Sequence, residues 1–446
     1  ALTYNYGPEN LAPGLAVGDL LNALVTAIHQ AGSYSPFDAF TTSYKTIADF
    51  VTLSPRVGAV LDVFGDGKTA LKASYARYFD SLWTDKYNAG QLYAPETIQW
   101  NWYDLNKNGL MDLTDKYVLL SYVTQTPNAN YYEYTDAAGV VHSLKAPYTD
   151  ELTAGLEHEL FRHFDLGLHF IYRRSANIIE DIDAANGYDP TAKDDKGLIW
   201  LPLTVTDPVS GRPLTVYGLR ADRPTPNMVG TNPPEALRKY WAFVLTFDRR
   251  MADNWQLSGS VTYSSFQGNV GAGTYGTLGR TEMFNDPNSL TNSYGPLSFD
   301  RPLQVQLMTS WALPFGFVLS AHYQYMSGAP YDRTLRVYFP ADYMGYGTLS
   351  PYYDVVAQKD AGRYPAISNL DLRLEADIPV GHRNKIGLCL DVFNALGDNA
   401  IYYNLDPAGT LRADLPTMPY TTGPTYNQVQ SVYGVRTFMI GLKYIF

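Results

Sequence analysis

The sequence predicts an all-β protein, an antiparallel transmembrane β-barrel, and three observations predict it. Apolar and polar residues alternate over about eleven segments, each roughly ten residues long, as in strands with one apolar face. Short turns alternate along the chain with long connections. Aromatic residues lie near the ends of many apolar runs. Outer-membrane barrels combine these features, because tilted strands of about 9–11 residues cross the bilayer between short turns and long loops.

The composition is that of an ordered, weakly charged chain. Its 446 residues are 46% hydrophobic and only 17% charged, which excludes intrinsic disorder, and 37 of them are tyrosines. A formal net charge of −11 argues against binding to nucleic acid, which needs a basic surface. The single cysteine excludes an internal disulfide. No apolar run reaches the length of a transmembrane helix.

The alternation is clearest over residues 369–378, where apolar and polar side chains strictly alternate. Successive strand side chains point to opposite faces, so this strand has one apolar and one polar side. In a barrel the apolar side meets lipid and the polar side lines the interior, whereas in a soluble sandwich the apolar side packs on a second sheet. The other predicted strands are residues 57–63, 69–79, 151–160, 165–172, 240–248, 255–264, 303–313, 317–325, 386–392 and 437–446.

The connections predict the domain organisation. Residues 50–446 are expected to form the barrel strands, with short turns carrying Gly, Pro, Asp and Asn. Residues 1–49 are expected to be an extracellular loop segment with a short amphipathic helix over 17–28. The long loops are predicted at about 80–150, 173–239, 265–301, 326–368 and 395–436, far longer than ordinary connections.

One of these loops contains a candidate calcium site at residues 104–115. The first, third and fifth positions carry oxygen donors, the sixth is Gly109, and the twelfth is acidic, as in calcium-binding loops. A short exiting helix is expected over residues 117–123. The alternative is an Asx- and Gly-rich turn that binds no metal. The predicted Ca²⁺ ligands are Asp104, Asn106, Asn108, Leu110 through its carbonyl, Asp112 and Asp115.

No catalytic or organic-cofactor site is predicted, so the chain is not expected to be an enzyme. The histidines have no metal-ligand spacing. Residues 65–69, "GDGKT", imitate a phosphate-binding loop, but Asp62 stands where that motif requires its first glycine. A hairpin turn is therefore predicted here.

The final residues, 441–446, resemble the terminal signal that the outer-membrane assembly machinery recognises. The segment "GLKYIF" has a glycine, then an aromatic residue at 444 and a C-terminal Phe446. Met439 stands where that signal usually has a polar residue. The resemblance implies this machinery as a partner.

Several longer segments resemble the barrel of TonB-dependent receptors of the Oar-like group. Residues 54–69, "SPRVGAVLDVFGDGKT", and 74–80, "SYARYFD", are similar to a hairpin of that family, as are 254–264, 295–302 and 391–396. Such receptors are bacterial outer-membrane importers with barrels of about 22 strands. The resemblance also implies a plug and a Ton box, through which the TonB–ExbB–ExbD complex acts.

About eleven strands make half of such a barrel, and open strand edges in lipid are costly. One expected partner is membrane lipid, which surrounds the barrel. Because the open edges must be paired, the second expected partner is the remaining half of the barrel, from the same polypeptide or another chain. Neither the plug nor the Ton box is recognisable in this sequence. The function that the resemblance implies is ligand capture and uptake across the outer membrane. The alternatives are a non-transporting surface barrel, acting as an adhesin or structural protein, and an outer-membrane hydrolase.

Overall fold

The structure is a computed structural model of the chain, and it describes most of residues 50–446. The described residues are 50–79, 97–103, 116–123, 133–135, 141–220, 222, 228–270, 284, 286–340, 343–344, 352–380, 384–398, 408–413, 415, 417–423 and 434–446. The chain divides into two units, Ala1–Asp49 with Leu82–Tyr132, and Phe50–Ser81 with Glu133–Phe446.

The described elements are almost entirely strands. They are β1 (Arg56–Asp62), β2 (Thr69–Phe79), β3 (Thr97–Tyr103), β4 (Lys116–Val123), β5 (Glu133–Thr135), β6 (Val141–Ser143), β7 (Tyr148–Phe161), β8 (Phe164–Ala176), β9 (Glu180–Asp183), β10 (Lys193–Asp194), β11 (Gly197–Leu198), β12 (Trp200–Thr206), β13 (Pro213–Arg220) and β14 (Met228–Thr231). They continue with β15 (Arg238–Ala252), β16 (Trp255–Gly268), helix α1 (Pro287–Leu290), β17 (Gly295–Pro296), β18 (Leu303–Ala312), a 3-10 turn (Pro314–Gly316), β19 (Phe317–Met326), β20 (Pro330–Tyr338), β21 (Tyr343–Met344), β22 (Tyr352–Arg363), β23 (Ile367–Val380), β24 (Asn384–Phe393), β25 (Ala408–Arg412), β26 (Tyr420–Thr422) and β27 (Thr437–Ile445).

Eleven strands form one continuous sheet, which we call the main sheet. Its order is β1-β2-β7-β8-β15-β16-β18-β19-β23-β24-β27, and the short β17 pairs with β16. Every pair along this path is antiparallel, and neighbours in space are neighbours in the chain order of the long strands. The predicted strands and the alternation of short and long connections are confirmed.

Several strands of the main sheet, including β7, β8, β15, β16 and β23, extend beyond the predicted alternating segments. The strand predicted over 240–248 is observed as β15, Arg238–Ala252, which pairs along its length with β8 and β16. Polar residues at its ends interrupt the sequence pattern, but their backbone groups still join the ladder. Hydrogen bonding by the backbone does not depend on side-chain polarity, so the alternation of apolar and polar residues underestimates the length of the strand.

The turn between β1 and β2 shows how short connections form. Asp62 accepts hydrogen bonds from the backbone N–H groups of Gly65 and Gly67, at 2.9 and 2.8 Å. Both glycines have φ of 74°, a conformation that L side chains rarely adopt. The segment "GDGKT" is therefore the predicted hairpin turn, and Asp62 caps it.

The long connections contain their own folded body, which we call the loop body: strands β12, β13, β20, β21, β22, β25 and β26. These form two sheets, β12-β13-β21 and β22-β20-β25-β26. Both contribute to one hydrophobic core, in which Trp200, Val216, Leu335 and Val355 are fully buried. Three separate long loops supply these strands, and β20 pairs with β25 in parallel, so local sequence patterns do not reveal the body.

A strand hairpin flanks the predicted calcium loop. Strand β3 pairs with β4 in antiparallel register, with an irregularity between Gln99 and Trp100. The expected exiting helix over residues 117–123 is therefore wrong, because these residues belong to β4. The segment "YVLLSYV" is rich in β-branched and aromatic residues, which favour a strand. The helix predicted over 17–28 lies outside the described residues.

Strands β1 and β27 are the two edges of the main sheet. Within the described ranges, each pairs with one neighbour, β2 and β24 respectively. Apolar side chains of these strands are strongly exposed, including Val60 at 70%, Ile440 at 82% and Leu442 at 77%. Their outer edges carry backbone donors and acceptors that another strand must satisfy in a membrane.

Candidate ligand-binding site

The main sheet has one apolar face and one polar face. The apolar face is outward-exposed: Leu71, Leu156, Leu168 and Leu245 are between 36% and 49% exposed. Together with Val261 and Val305 they lie opposite one another across six neighbouring strands. The predicted lipid contacts Leu374 and Ile378 are also exposed, at 37% and 46%. Since these side chains are not packed between two sheets, the sandwich alternative is excluded.

The polar face is crossed by ion pairs. Lys72 donates to Glu157 at 2.6 Å, and Arg173 donates through Nε to Glu151 at 2.5 Å. Farther along the sheet, Nε of Arg373 lies 3.7 Å from a carboxylate oxygen of Asp391. These pairs join residues of neighbouring strands, and they fit a surface that meets water rather than lipid.

Two cavities lie along the polar face of the main sheet: one reaches the short turn between β15 and β16, and the other lies at the long connections. The short-turn cavity, of about 790 Å³, is lined by residues that include Asp248, Ser258, His322, Asp371 and Arg373. The long-loop cavity, of about 650 Å³, lies where the strands run into the long connections. It is lined by Tyr78, Thr149, Glu151, Arg173, Ser175, Arg238, Tyr240, Ser264, Phe266, Phe299, Arg301 and Gln304.

Strand register explains the wall of the long-loop cavity. Glu151, Arg173, Tyr240 and Phe266 lie opposite one another across β7, β8, β15 and β16. Directly opposite residues project from the same face of a sheet, so this row points into the cavity. The guanidinium carbon of Arg173 lies 5.9 Å from the ring centre of Tyr240, within reach of a cation–π contact.

The buried carboxylate of Asp300 holds in place the side of the cavity that is formed by the connection before β18. Asp300 is 3% exposed and accepts a hydrogen bond from the backbone N–H of Phe266 at 2.6 Å. Its other oxygen accepts from Arg363 at 2.5 Å, which ties it to the end of β22. Asp300 therefore clamps the connection before β18, and its neighbours Phe299 and Arg301 are held at the cavity.

The charged residues in the described lining of the cavity are three arginines and one glutamate. Arg173 remains 51% exposed while it pairs with Glu151. Arg301 donates to the backbone carbonyl of Ser327 at 2.7 Å, and Arg238 donates to that of Val270 at 3.2 Å. These carbonyl contacts orient the two guanidiniums. Such forks suit carboxylate or phosphate ligands.

A buried ion pair stabilises the loop body beside this site. Arg333 donates to both carboxylate oxygens of Asp207, one of them at 2.8 Å, and both side chains are nearly fully buried. Desolvation acts to raise the pKa of Asp207, but hydrogen bonds from Arg333, Ser210 and the Val209 N–H outweigh it and lower the pKa below its usual value. The pair links the turn after β12 to β20.

The sequence-predicted and observed sites differ. The candidate calcium ligands Asp104, Asn106, Asn108, Leu110, Asp112 and Asp115 lie outside the described residues. In the part of the chain that the structure describes, no group of three or more His, Cys, Asp or Glu residues could hold a metal ion. Sequence reasoning missed the arginines of the long-loop cavity. Two features of the sequence could have indicated these arginines. Arg301 lies in the family-like segment "GPLSFDRP", and Arg173 and Arg238 lie at the ends of predicted strands.

No helix among the described residues is both long and apolar enough to cross a membrane.

Comparisons with known proteins place the chain in a family. A model of the outer membrane beta barrel domain matches residues 19–332. The chain is 24% identical over 402 residues to the TonB-dependent transporter Oar of Myxococcus xanthus, covering 82% of this chain and 33% of that protein. The chain thus spans about a third of the length of this curated relative.

Solved structures that resemble the chain include two outer-membrane proteins. One is the outer membrane transporter YddB from Escherichia coli, with a TM-score of 0.42 and 15% identity, covering 88% of this chain and 40% of that one. Another is the ferripyoverdine receptor of Pseudomonas aeruginosa, with a TM-score of 0.40 and 12% identity, covering 87% and 32%.

The family assignment rests on the sequence model, which matches more than two thirds of the chain. The main sheet agrees with it, since its strands are antiparallel, alternate in polarity and expose their apolar face. The predicted resemblance is confirmed: this chain belongs to the outer membrane beta barrel domain family, and its location is the bacterial outer membrane.

Proposed function

We propose that this chain forms part of the wall and the extracellular loops of a TonB-dependent transporter. The observation that supports this most is the identity with Oar, which extends over 402 residues. In such a receptor, the apolar face of the main sheet contacts lipid and the polar face lines the lumen. The short turns then lie at the periplasmic end and the loop body at the extracellular end.

In this proposal the long-loop cavity captures the ligand and the polar face borders its path. The gate is a plug with a Ton box, on which the TonB–ExbB–ExbD complex acts, and further strands complete the barrel. The outer-membrane assembly machinery inserts the chain by recognising its last strand. The chain carries out transport and not catalysis.

Uptake is tested by an assay in which the ligand need not be identified beforehand. Three otherwise identical strains are compared: the parent, one lacking this gene and one lacking TonB. Mass spectrometry of the spent medium follows the depletion of solutes. We expect at least one solute to be depleted by the parent and spared by both deletion strains, because import requires receptor and energy together.

The same strains separate transport from the alternatives. Equal depletion by all three strains would contradict the proposal. Loss of surface attachment in the gene deletion, with unchanged depletion, would favour an adhesin or structural barrel. Conversion of a solute that persists without TonB would favour a hydrolase.

We also propose that residues 104–115 bind Ca²⁺ as a structural ion. The support is the spacing of oxygen donors around Gly109, in a loop between two paired strands. Extracellular calcium modules bind with dissociation constants of roughly 10⁻⁴–10⁻³ M.

Terbium luminescence tests the calcium proposal, because Trp102 lies two residues before Asp104 in the sequence and can sensitise a bound lanthanide. We expect Tb³⁺ emission that millimolar Ca²⁺ displaces and that Asp104→Asn or Asp115→Asn abolishes. Asp66→Asn, in the turn between β1 and β2, is the matched control. Emission that survives both loop substitutions would contradict the site.

A further inference from the structure

We infer that the apolar, outward face of the main sheet binds a membrane lipid with a phosphate in its headgroup, at the level of the outer leaflet. The site has two parts on that face. One is a row of charged residues, Arg77, Asp150, Arg174 and Lys239, which we call the outer basic row, and the other is an apolar groove. The leaflet follows from the orientation given under the proposed function, but the site itself does not require transport.

Strand register places the outer basic row on the face that meets lipid. Arg77 lies opposite Asp150 across β2 and β7, and Arg174 lies opposite Lys239 across β8 and β15. Asp150 and Arg174 are also opposite each other. Arg174 follows the apolar-face residue Leu168 by six positions in β8. Side chains an even number of positions apart in a strand share a face, so the row projects outward.

The carboxylate of this row is already engaged, and two of its cations are not. The two oxygens of Asp150 accept from Arg77 at 2.7 and 2.9 Å, and one of them also accepts from the Tyr75 hydroxyl at 2.8 Å. Among the described residues, neither Arg174 nor Lys239 makes a side-chain hydrogen bond or ion pair, although Arg174 attracts Asp150 at longer range. Like charges directly opposite each other destabilise a sheet. A phosphate between the two cations removes this repulsion and accepts from both.

Aromatic residues indicate the depth of the outer basic row. Tyr75, Tyr172 and Trp241 lie on the same face, two residues closer to the middle of their strands than the charged residues. Tyr and Trp concentrate where the bilayer meets water. The outer basic row therefore lies at the level of the lipid headgroups, where phosphates are found.

The apolar groove begins below the aromatic residues and has a volume of about 490 Å³. Ala59, Ala73 and Ala154 lie opposite one another on β1, β2 and β7 and form its floor. Phe170 and Phe243, with ring centres 5.1 Å apart, form one wall. Apolar contacts gain no hydrophobic energy in lipid, so packing decides which groups associate there. A groove of this shape offers an acyl chain van der Waals contacts on several sides.

A single lipid reaches both parts of the site. Ala73 and Arg77 are four residues apart in β2, which corresponds to about 13 Å along the strand. With its phosphate between Arg174 and Lys239, a lipid can extend an acyl chain past the aromatic residues into the groove. A free phosphate leaves the groove unused, and a neutral lipid leaves the two cations unpaired. Charge and shape together therefore favour a phosphorylated lipid.

The experiment measures lipid binding to the full-length protein that contains this sequence, purified in a mild detergent without TonB. Native mass spectrometry gives the fraction of protein with bound lipid. Three probes separate phosphate from acyl chain: lipid A with both phosphates, the same acylated disaccharide without phosphates, and inorganic phosphate. We expect lipid A to bind, the phosphate-free form to bind at least tenfold more weakly, and millimolar inorganic phosphate to leave bound lipid A in place.

Variants assign the binding to this site. Arg174→Gln and Lys239→Gln should each lower the affinity for lipid A roughly tenfold, as expected for the loss of one charge-assisted contact. Ala73→Leu fills the floor of the groove and should lower the same affinity without changing any charge. Arg250→Gln is the matched control, because Arg250 is an exposed arginine at the other end of β15 that lines the short-turn cavity. It should leave the affinity unchanged.

Charge reversal distinguishes a lost binding site from a misfolded protein. Lys239→Glu places a carboxylate opposite Arg174, so it should eliminate detectable lipid A binding. It should also raise the thermal midpoint of the lipid-free protein, because opposite charges across a strand pair stabilise a sheet. A lower midpoint would contradict the repulsion on which the site depends.

The outcomes decide the inference separately from transport. Equal binding of the phosphate-free disaccharide, or unchanged affinity in both glutamine variants, would overturn it. Displacement of lipid A by inorganic phosphate, with Ala73→Leu unchanged, would assign the two cations to a free anion and reject the lipid. Because TonB is absent from the assay, a failure of energised uptake leaves a positive result intact. Normal uptake without lipid A binding would retain the transporter and reject this site.

Discussion

Arg373 and Leu374 are adjacent in the chain but lie on opposite faces of β23. Arg373 lines the short-turn cavity and approaches Asp391, whereas Leu374 is 37% exposed on the apolar face beside Leu319 and Leu390. Side chains that are adjacent in a strand project from opposite faces of the sheet, so one of them faces water and the next faces lipid. For each residue of this strand, the polarity of its cross-strand neighbours therefore indicates whether its side chain faces water or lipid.

Leu374→Arg places a charge in lipid and should lower the free energy of unfolding by about 2–4 kcal/mol if the residue lies near the bilayer midplane. Urea titration of the full-length protein in lipid vesicles measures it. Ser258→Arg, on the polar face beside the short-turn cavity, is the control and should have little effect. A larger loss for Ser258→Arg would contradict the assignment of the two faces.

Arg249 shows how a charged residue is accommodated on the apolar face. It lies opposite Phe164 and Leu257 at the short-turn end, yet it is only 8% exposed. Its guanidinium donates to the carbonyls of Ala252 and Trp255 and stacks on the Trp255 ring at 3.9 Å. A charged residue is tolerated at this position because the turn supplies acceptors for the guanidinium: two carbonyl groups and the carboxylate of Asp253, which accepts from Arg249 at 2.9 Å.

At the scale of elements, the loop body and the last strand have different sources of stability. The loop body buries Trp200, Leu335 and Val355 in a core of its own. Strand β27 buries little, since Phe438, Ile440, Leu442 and Tyr444 are all more than half exposed. The loop body is therefore expected to be stabilised internally, and β27 by lipid and by pairing.

Asp207→Asn should destabilise the loop body by about 3–5 kcal/mol, because it leaves the Arg333 charge buried without its partner. Hydrogen exchange of β12 and β20, corrected for intrinsic rates, measures the change. Lys196→Met removes an exposed ion pair with Asp222 and should cost about 0–1 kcal/mol. Equal effects of the two substitutions would contradict the role of the buried pair.

The same ion pair makes the loop body sensitive to acid. The folded-state pKa of Asp207 is lowered, so its stabilisation is complete above the unfolded value of about 3.9 and is lost as pH falls through the folded value. Protection of β12 should therefore decrease in strongly acidic buffer for the native protein. In Asp207→Asn this part of the pH dependence should be absent, and its persistence would assign the effect to another group.

Assembly of the protein into the outer membrane is expected to depend on the aromatic residues at the end of the chain. Replacing both Tyr444 and Phe446 by Ala should reduce the amount of protein in the outer membrane, because the assembly signal is removed. Immunoblots of isolated outer membranes measure the amount. Replacing Phe438 and Ile440 by Ala, farther from the terminus, controls for lost apolar surface. Normal insertion of the Tyr444 and Phe446 variant would show that these residues are not recognised.

At the scale of the whole molecule, the main sheet has two edges that must be satisfied. In the described residues, the eleven long strands run from β1 to β27 without an observed pair between these two. In the outer membrane, unpaired backbone groups cost several kcal/mol each. Additional strands, from the same polypeptide or another chain, are therefore expected to cover both edges.

Hydrogen exchange of the full-length protein in nanodiscs tests this closure. We expect the amides of β1 and β27 to exchange as slowly as those of the interior strand β8, because a neighbour on each side protects them. The residues of the turn between β7 and β8, 162–163, serve as a fast-exchanging reference. Fast exchange at β1 and β27 alone would mean that the edges stay open.

Local sequence was sufficient to specify the strands of the main sheet, their two faces and their short turns. Residues 369–378 specify a two-faced strand, and Asp62 with Gly65 and Gly67 specifies a turn, because these signals act between residues close in the chain. Which polar residues meet became evident only from the folded chain. Arg173 lies in β8, Arg238 begins β15 and Arg301 lies in the connection before β18, and their convergence depends on strand register. Register and loop packing are contacts between distant residues, so no local pattern contains them.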